Sequence, residues 1–249
     1  MAYIVSATSA GMSHELLLLL AAAISPAMAV GLFIYWRDEH EKEPARLLLL
    51  AFLLGAFSIL PALVLSFLMS RTGLDLQSPH LAFAALSWIL AVGLPEEFSK
   101  FFLVRLFLYP RRAFNEPYDG IVYCAMCGLG FATVENVMYV LEGGFPVALG
   151  RAFFSIPGHA SWSVLVGYFL GRQKFEGIRG FAWWGLLLAA LLHGLFNFFL
   201  SQPDGLTGSL VFFLATFLLG LRYALRAMRL HRTGSPFRRI RWKRRDMQD

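Results

Sequence analysis

Residues 47–69 read LLLLAFLLGAFSILPALVLSFLM, a run of 23 residues without a charged side chain. A helix rises ~1.5 Å per residue and the hydrocarbon core of a bilayer is ~30 Å thick, so about 20 consecutive apolar residues suffice to cross it. The run therefore predicts a transmembrane helix.

Further apolar blocks of similar length lie on both sides of this run. Together the blocks occupy residues 15–36, 47–69, 81–109, 118–141, 146–170, 181–200 and 208–226. Of the 249 residues, 57% are hydrophobic and 15% are charged, and the mean hydropathy of +0.60 excludes an ordinary soluble domain of this size. We predict an all-α, polytopic transmembrane helical bundle of about seven helices, with one domain over residues 1–226 and a basic tail over residues 227–249.

The distribution of Lys and Arg predicts how this bundle is oriented. Eighteen of these residues follow the first, third or fifth apolar block or lie from Arg222 onward, whereas only Arg71 and Arg151 lie on the other side. Because basic loops stay in the cytoplasm, we expect the N-terminus outside and the C-terminus in the cytoplasm. The first 15 residues contain no Lys or Arg, so we expect no cleaved signal peptide. The tail sequence RRIRWKRR should contact anionic lipid headgroups, and we expect no nucleic-acid partner.

One block carries a ridge of small residues. Every fourth residue from 120 to 136 is small or of moderate size: Gly120, Cys124, Gly128, Ala132 and Asn136. Such a ridge lets a neighbouring helix approach closely, and it explains the two cysteines as packing residues.

Polar side chains occur deep within four of the apolar blocks. They are Glu96, Glu97 and Lys100 in the third block, Glu135 and Asn136 in the fourth, His159 and Ser163 in the fifth, and His193 and Asn197 in the sixth. A charge near the centre of a bilayer costs at least ~2.5 kcal/mol, so such residues face one another or water. Spacings of three or four residues put each set on one helix face. We therefore expect a polar chamber that opens towards the outer side, with Lys100 neutralising one of the two adjacent glutamates.

The third block contains Gly93 and Pro95 immediately before its glutamates. A proline removes one backbone hydrogen bond and clashes with the preceding turn. We expect the helix to kink or break at this point.

These residue types support two hydrolytic mechanisms. In the first, a glutamate accepts a proton from water and passes it to a leaving amine, while histidine and asparagine side chains stabilise the oxyanion. In the second, His159, His193 and a glutamate, with Glu97 as a candidate, hold Zn²⁺ and leave a position open for water. The sequence contains no HExxH motif, so it leaves both mechanisms open.

Several of these motifs resemble one family. The segments PEEFSK (95–100), EPYDGIVYCAMCGLGFATVEN (116–136) and HGLFN (193–197), with His159 between the last two, look like the PrsW family of bacterial intramembrane proteases. That family is related to the CAAX-prenyl protease and bacteriocin-processing superfamily, with its EExxxR, FxxxH and HxxxN motifs. This sequence departs from that superfamily in having EExxK and in having Glu135 four residues after Phe131, where the relatives have histidine.

The resemblance implies a multi-pass protease of the bacterial cell membrane. Its substrate would be a single-pass membrane protein, best known as an anti-sigma factor cut first on its extracytoplasmic side in stress signalling. It also implies that Glu96 and Glu97 are the leading catalytic pair, that His159 and His193 are essential partners, and that Glu135 and Asn197 take part as well.

Two other function classes fit the same pattern of intramembrane charges. A proton-coupled transporter could use these residues as a relay, although we find no inverted repeat of the transporter kind. A non-catalytic membrane sensor or scaffold could use the polar chamber only to bind a partner helix.

Overall fold

A computed structural model describes residues 2–39, 41–202 and 207–237, and within these ranges it contains helices and no β-strand. The α-helices are α1 (Ala2–Arg37), α2 (Ala45–Ser70), α3 (Leu81–Trp88), α4 (Leu94–Phe107), α5 (Pro117–Gly150), α6 (Ile156–Glu176), α7 (Phe181–Leu200) and α8 (Thr207–Thr233). Single π-helical turns, Ile89–Gly93 and Arg151–Ser155, join α3 to α4 and α5 to α6.

The polytopic helical bundle predicted from the apolar blocks is confirmed. In the described part of the chain, six continuous helical stretches are long and apolar enough to cross a membrane. One of them, Pro117–Glu176, spans 60 residues and turns at Gly144, whose φ of 68° and ψ of −159° favour glycine. Its two legs pack side by side in opposite directions, so it accounts for both the fourth and the fifth predicted crossing.

The two legs approach each other through small residues. A Cβ atom on Gly167 would lie 2.2 Å from the carbonyl oxygen of Gly120, and one on Gly128 would lie 2.1 Å from Oγ of Ser163. Only glycine fits at such distances, because no real Cβ contact is this short. The ridge on α5 therefore packs against α6, and this contact fixes the height of Glu135 relative to His159.

Of the kink or break expected at Pro95, the break does not occur, and the perturbation takes the form of a π turn. The helix continues from Leu81 to Phe107, and the backbone N–H of Leu94 bonds to the carbonyl of Ile89, five residues earlier. This π turn places Gly93 against α7, where a Cβ atom would lie 2.4 Å from the carbonyl oxygen of Ala190. The extra residue in the turn accommodates the proline without ending the helix.

The loops rich in Lys and Arg gather at one end of the bundle, which we call the basic end. There Lys174 Nζ donates to the carbonyl of Tyr109 at 2.6 Å, and Arg232 pairs with Glu39 at 3.1 Å. This grouping agrees with the predicted orientation. Helix α8 runs on to Thr233, past the apolar block that predicted it, and the RRIRWKRR segment lies outside the described residues.

Candidate active site

The polar side chains predicted to share a chamber come together from four helices. Glu96, Glu97 and Lys100 lie in the first two turns of α4, which begins after the π turn. Glu135 comes from α5, His159 from α6, and His193 and Asn197 from α7. We call Glu96, Glu97, Glu135, His159 and His193 the glutamate–histidine cluster.

Glu97 is the glutamate that Lys100 neutralises. Its Oε1 atom lies 2.5 Å from Nζ of Lys100 and 2.9 Å from Nδ1 of His193, and its residue is 1% exposed. A carboxylate in this position accepts hydrogen bonds, so Nδ1 of His193 carries a proton that it donates to Glu97. The Nε2 atom of His193 is therefore left with a lone pair.

That lone pair points into the cluster. The Nε2 atom of His193 lies 3.7 Å from Oε2 of Glu96, which is buried and has no hydrogen-bond partner within the described residues. The indole of Trp162 stacks on the imidazole of His193, with ring centroids 4.1 Å apart and planes 16° apart. Stacking on one side and Glu97 on the other hold the His193 ring in a single orientation.

His159 has the opposite arrangement of partners. Its Nδ1 atom lies 3.3 Å from Nζ of Lys100, and its Nε2 atom lies 2.9 Å from Oε2 of Glu135. Because an ammonium group only donates, Nδ1 accepts and Nε2 carries the proton that bonds Glu135. Lys100 therefore contacts both Glu97 and His159 and links the α4 side of the cluster to α6.

Arg151 belongs to this site, although the sequence analysis used it only to assign topology. Its Nη2 atom lies 2.7 Å from Oε2 of Glu135, and its Nε atom donates to Oδ1 of Asn136 at 2.6 Å. Asn136 in turn donates to the backbone carbonyl of Ala23 in α1 at 2.7 Å. In the sequence, Arg151 and Arg71 are the only Lys or Arg residues assigned to their side of the bundle. This unusual position was the signal from which a pairing of Arg151 with a carboxylate could have been predicted.

Two cavities reach the cluster. One, of about 310 Å³, lies between α2, α4 and α5, and the other, of about 350 Å³, lies between α5, α6, α7 and α8. Glu135 and Tyr139 line both cavities and separate them. Ser66 and Glu142 line the first and Leu200 lines the second, and these residues lie at the end opposite the basic end. The predicted outward-facing chamber is thus divided into two halves that meet at Glu135.

Each cavity has its own chemistry. The α2–α5 cavity presents the carboxyl groups of Glu96, Glu135 and Glu142 beside apolar α2 residues. The second cavity combines aromatic rings with the polar side chains of Arg151, Ser155 and Asn197, and its lining rings include Phe154, Phe196 and Phe213. Asn197 thus lies beside His193 in the second cavity, as its position one turn along α7 predicts.

Glu96, His159 and His193 are placed to hold a metal ion. One donor atom from each lies within 4.8 Å of the other two, and the three come from three different helices. Three protein ligands of these types are the set that a catalytic zinc takes. The buried, unpartnered Oε2 of Glu96 fits such a role, and Glu97 holds the far nitrogen of His193 as supporting carboxylates do in zinc sites. The carboxylate of this group is Glu96 and not the Glu97 named from the sequence.

Comparison with known proteins connects this geometry to a family. Residues 43–221 match the family model described as "PrsW family intramembrane metalloprotease". "Protease PrsW" of Geobacillus kaustophilus is 36% identical over 188 residues, which cover 75% of this chain and 81% of the relative. "Protease PrsW" of Bacillus subtilis is 31% identical over 213 residues, covering 84% and 95%. "Protease PrsW" of Clostridioides difficile is 32% identical over 186 residues, covering 72% and 77%. No solved structure matches the chain.

Proposed function

Because this chain belongs to the PrsW family of intramembrane proteases, a group of multi-pass proteins of the bacterial cell membrane, we propose that it is metal-dependent and hydrolyses its substrate at the glutamate–histidine cluster. The observation that carries this proposal is the grouping of Glu96, His159 and His193 within 4.8 Å beside two cavities. The substrate is a membrane-anchored protein, and the bond cut lies near the outer face.

These three residues would hold a divalent ion such as Zn²⁺. Both nitrogens of His159 have partners in the structure, so one of them would exchange its contact with Lys100 or Glu135 for the ion and carry no proton when it does so. When bound, such an ion polarises a carbonyl oxygen and lowers the pKa of a coordinated water. Glu97 keeps the proton of His193 on Nδ1, so that Nε2 stays available as a donor to the ion. Lys100 balances the charge of Glu97 in a region that lipid and protein shield from water.

Glu135 is the base in this scheme. Its Oε2 atom receives bonds from both Arg151 and His159, and its other oxygen is free of both contacts. Water attacks the carbonyl carbon of the scissile bond and gives a proton to Glu135. The carboxyl group of Glu135 then delivers this proton to the amide nitrogen as the carbon–nitrogen bond breaks. Glu135 lies at the boundary of the two cavities, where a bound peptide would place that bond.

The two cavities supply the binding surface for the peptide. A substrate segment in extended form would pass Glu135 with one side chain in the carboxyl-rich α2–α5 cavity and another in the aromatic cavity. Asn197 lines the aromatic cavity beside His193, where its amide can donate to the carbonyl oxygen as charge develops there. A large apolar substrate side chain would suit the aromatic cavity on one side of the cleaved bond. A small or basic side chain would suit the carboxyl-rich α2–α5 cavity on the other side.

The substrate class follows from the resemblance and from the direction of the cavities. Both cavities lie at the end opposite the basic end, which is the extracytoplasmic side in the predicted orientation. A single-pass anti-sigma factor with an extracytoplasmic domain presents a cleavable segment at that depth. Cleavage there would be the first cut of a signalling cascade.

The experiment uses the purified protein in nanodiscs with a single-pass anti-sigma factor tagged at both ends. We expect one cut on the extracytoplasmic side, loss of cleavage with a metal chelator, and recovery when Zn²⁺ is added back. Glu96→Gln should abolish cleavage and lower the bound metal measured by elemental analysis. Glu142→Gln is the matched control, because Glu142 lines the same cavity but lies outside the cluster.

Two results would contradict the proposal in different ways. Full activity of metal-free protein would show that hydrolysis needs no metal. Glu96, whose Oε2 atom has no partner in the described residues, would then be the base in place of Glu135. Cleavage by Glu96→Gln at the wild-type rate would show that the cluster does not hydrolyse the substrate.

A further inference from the structure

We propose that the basic end of the bundle binds the phosphate group of an anionic phospholipid in a small cavity formed by Arg37, Tyr118, Arg229 and Arg232. This site lies at the opposite end of the bundle from the two active-site cavities. It does not depend on the proteolytic mechanism, and its test uses no activity measurement.

The cavity lies where three helices end or begin. Helix α1 ends at Arg37, Tyr118 is the second residue of α5, and Arg229 and Arg232 belong to the last turns of α8. Its volume is about 130 Å³, and Leu225 and Met228 complete its lining. At ~30 Å³ per water molecule, this space is about four waters in size, enough for a phosphate group but not for acyl chains.

The floor of the cavity contains an unused hydrogen-bond donor. Tyr118 is 1% exposed, and its hydroxyl group is buried without a hydrogen-bond partner in the described part of the chain. A buried hydroxyl group without a partner is unfavourable, and native proteins rarely contain one. A phosphate oxygen in the cavity would accept this hydrogen bond.

The rim carries three guanidinium groups, and two acids, Asp38 and Glu39, act on Tyr118 beside them. Arg232 pairs with Glu39 at 3.1 Å, which offsets one of the three guanidinium groups. Arg37 and Arg229 form no ion pair with any residue in the described ranges, and the Arg37 guanidinium lies 5.1 Å from the ring centre of Phe33. Guanidinium groups match the geometry of phosphate oxygens with two parallel hydrogen bonds, so two unpaired arginines around one cavity suit a phosphate diester.

The surroundings favour a lipid as the source of that phosphate. Trp36 is 70% exposed next to Arg37, and Tyr223 is 47% exposed on α8, as expected for aromatic residues at the level of lipid headgroups. Phe33 and Leu225 are also exposed beside the cavity and provide an apolar surface for acyl chains. A free phosphate ion would use the arginines but would leave these apolar residues uncovered.

The test measures lipid binding by native mass spectrometry and Tm in nanodiscs. We expect phosphatidylglycerol to bind more tightly than phosphatidylcholine and to raise the Tm. The double variant Arg37→Gln, Arg229→Gln should weaken this preference by about fivefold for each arginine, because a basic residue near an anionic surface contributes that much. Tyr118→Phe should weaken it less and leave the fold intact, since it removes one hydroxyl group.

The matched control is the double variant Arg222→Gln, Arg226→Gln, which removes equal charge from exposed positions of α8 that do not line the cavity. It should keep the preference for phosphatidylglycerol. Equal losses in the two double variants would mean that only the general surface charge attracts the lipid, and this result would overturn the proposed phosphate site.

Inorganic phosphate added to phosphatidylcholine nanodiscs tests whether the phosphate group comes from a lipid or from free phosphate. A rise in Tm with phosphate that phosphatidylglycerol cannot reproduce would overturn the assignment to a lipid.

Discussion

The Nδ1 atom of His193 lies 2.9 Å from Oε1 of Glu97, and the same oxygen lies 2.5 Å from Nζ of Lys100. Glu97 thus serves two different purposes, holding one histidine tautomer and balancing one buried ammonium group. These purposes can be separated by mutation.

Glu97→Gln should impair both functions. The amide can no longer balance Lys100, and removing one partner of a buried ion pair costs about 3–5 kcal/mol of folding stability. It also holds Nδ1 of His193 less well, and loss of such a supporting carboxylate lowers metal affinity or activity by about 10–100-fold. Thermal unfolding and the rate of substrate cleavage measure the two effects.

The double variant Glu97→Gln, Lys100→Met distinguishes them. It removes the unbalanced ammonium group together with the carboxylate, so much of the stability should return while the activity stays low. Recovery of both stability and activity would show that Glu97 matters only as a counter-charge.

Arg151 should act as a positioning residue for Glu135. Its guanidinium holds Glu135 and Asn136 at once, with contacts of 2.7 and 2.6 Å. Arg151→Gln removes the charge and frees Glu135 to turn, and a misplacement of about 1 Å at a reacting group can lower the rate by about 10²-fold. We expect kcat to fall with little change in KM, and Arg151→Lys to restore part of kcat because a lysine keeps the charge but not the two-point contact.

Arg71→Gln is the control for Arg151, since Arg71 is the other basic residue on the same side and is exposed. Its kcat should match that of the wild type. If Arg151→Gln lowered only the Tm and left kcat unchanged, Arg151 would be a structural residue without influence on Glu135.

The sequence predicted the fold and the members of the site better than it predicted their partners. Apolar block length and the spacing of polar residues depend on helix geometry alone, so the crossings and the convergence of Glu96, Glu135, His159 and His193 could be foreseen. The sequence could not show that Glu97 pairs with Lys100 and that Glu96 joins the two histidines. Adjacent residues differ by about 100° around a helix axis, and only tertiary packing decides which one faces α7. The π turn was missed for a related reason, since a proline signals a perturbed helix but not its form.

Arg151 shows another limit of sequence reasoning. It stands 16 positions after Glu135 in the chain, beyond any helical spacing rule, and meets it only because the chain turns at Gly144. Lys100 could be paired with a glutamate through the i, i+3 rule, whereas its contact with His159 joins residues 59 positions apart.

The packing of α5 against α6 makes a prediction about glycine. Gly167→Ala would place a Cβ atom 2.2 Å from the carbonyl oxygen of Gly120, so the helices must separate. Overpacking of this kind costs about 1–3 kcal/mol, and the shift would also move His159 relative to Glu135. We expect a lower Tm and reduced cleavage.

Gly150→Ala is the matched control, because a Cβ atom at Gly150 would meet nothing within 4 Å and its backbone angles are helical. This change should leave the Tm unchanged or raise it slightly, since alanine favours a helix more than glycine. Equal destabilisation by the two changes would show that the close approach of Gly120 and Gly167 does not hold α5 to α6.

The loop between α1 and α2 predicts how stability depends on pH. Burial, together with the neighbouring carboxylate of Glu116, raises the pKa of Asp38 to about 7, while Lys42 opposes the shift. Burial also raises the pKa of Glu43 in the same loop. An acid whose pKa is higher in the folded state than its unfolded value of ~3.9 favours folding most below that unfolded value, and the contribution is lost as the pH rises through the folded pKa.

Raising the pH from 5 to 8 should therefore destabilise the wild-type protein more than Asp38→Asn, which cannot ionise at that position. Unfolded Asp38 is already ionised at pH 5, so about two of the three pKa units act between pH 5 and 8. They correspond to at most ~2.7 kcal/mol, and water entering the loop would reduce this loss. The measurement is the Tm of both proteins across this pH range in the same nanodiscs, where the difference between them isolates Asp38 from Glu43 and the other acids. If the Tm of the wild type fell no more steeply than that of Asp38→Asn, Asp38 would be ionised in the folded protein throughout the range, and its burial would have to be balanced by Lys42.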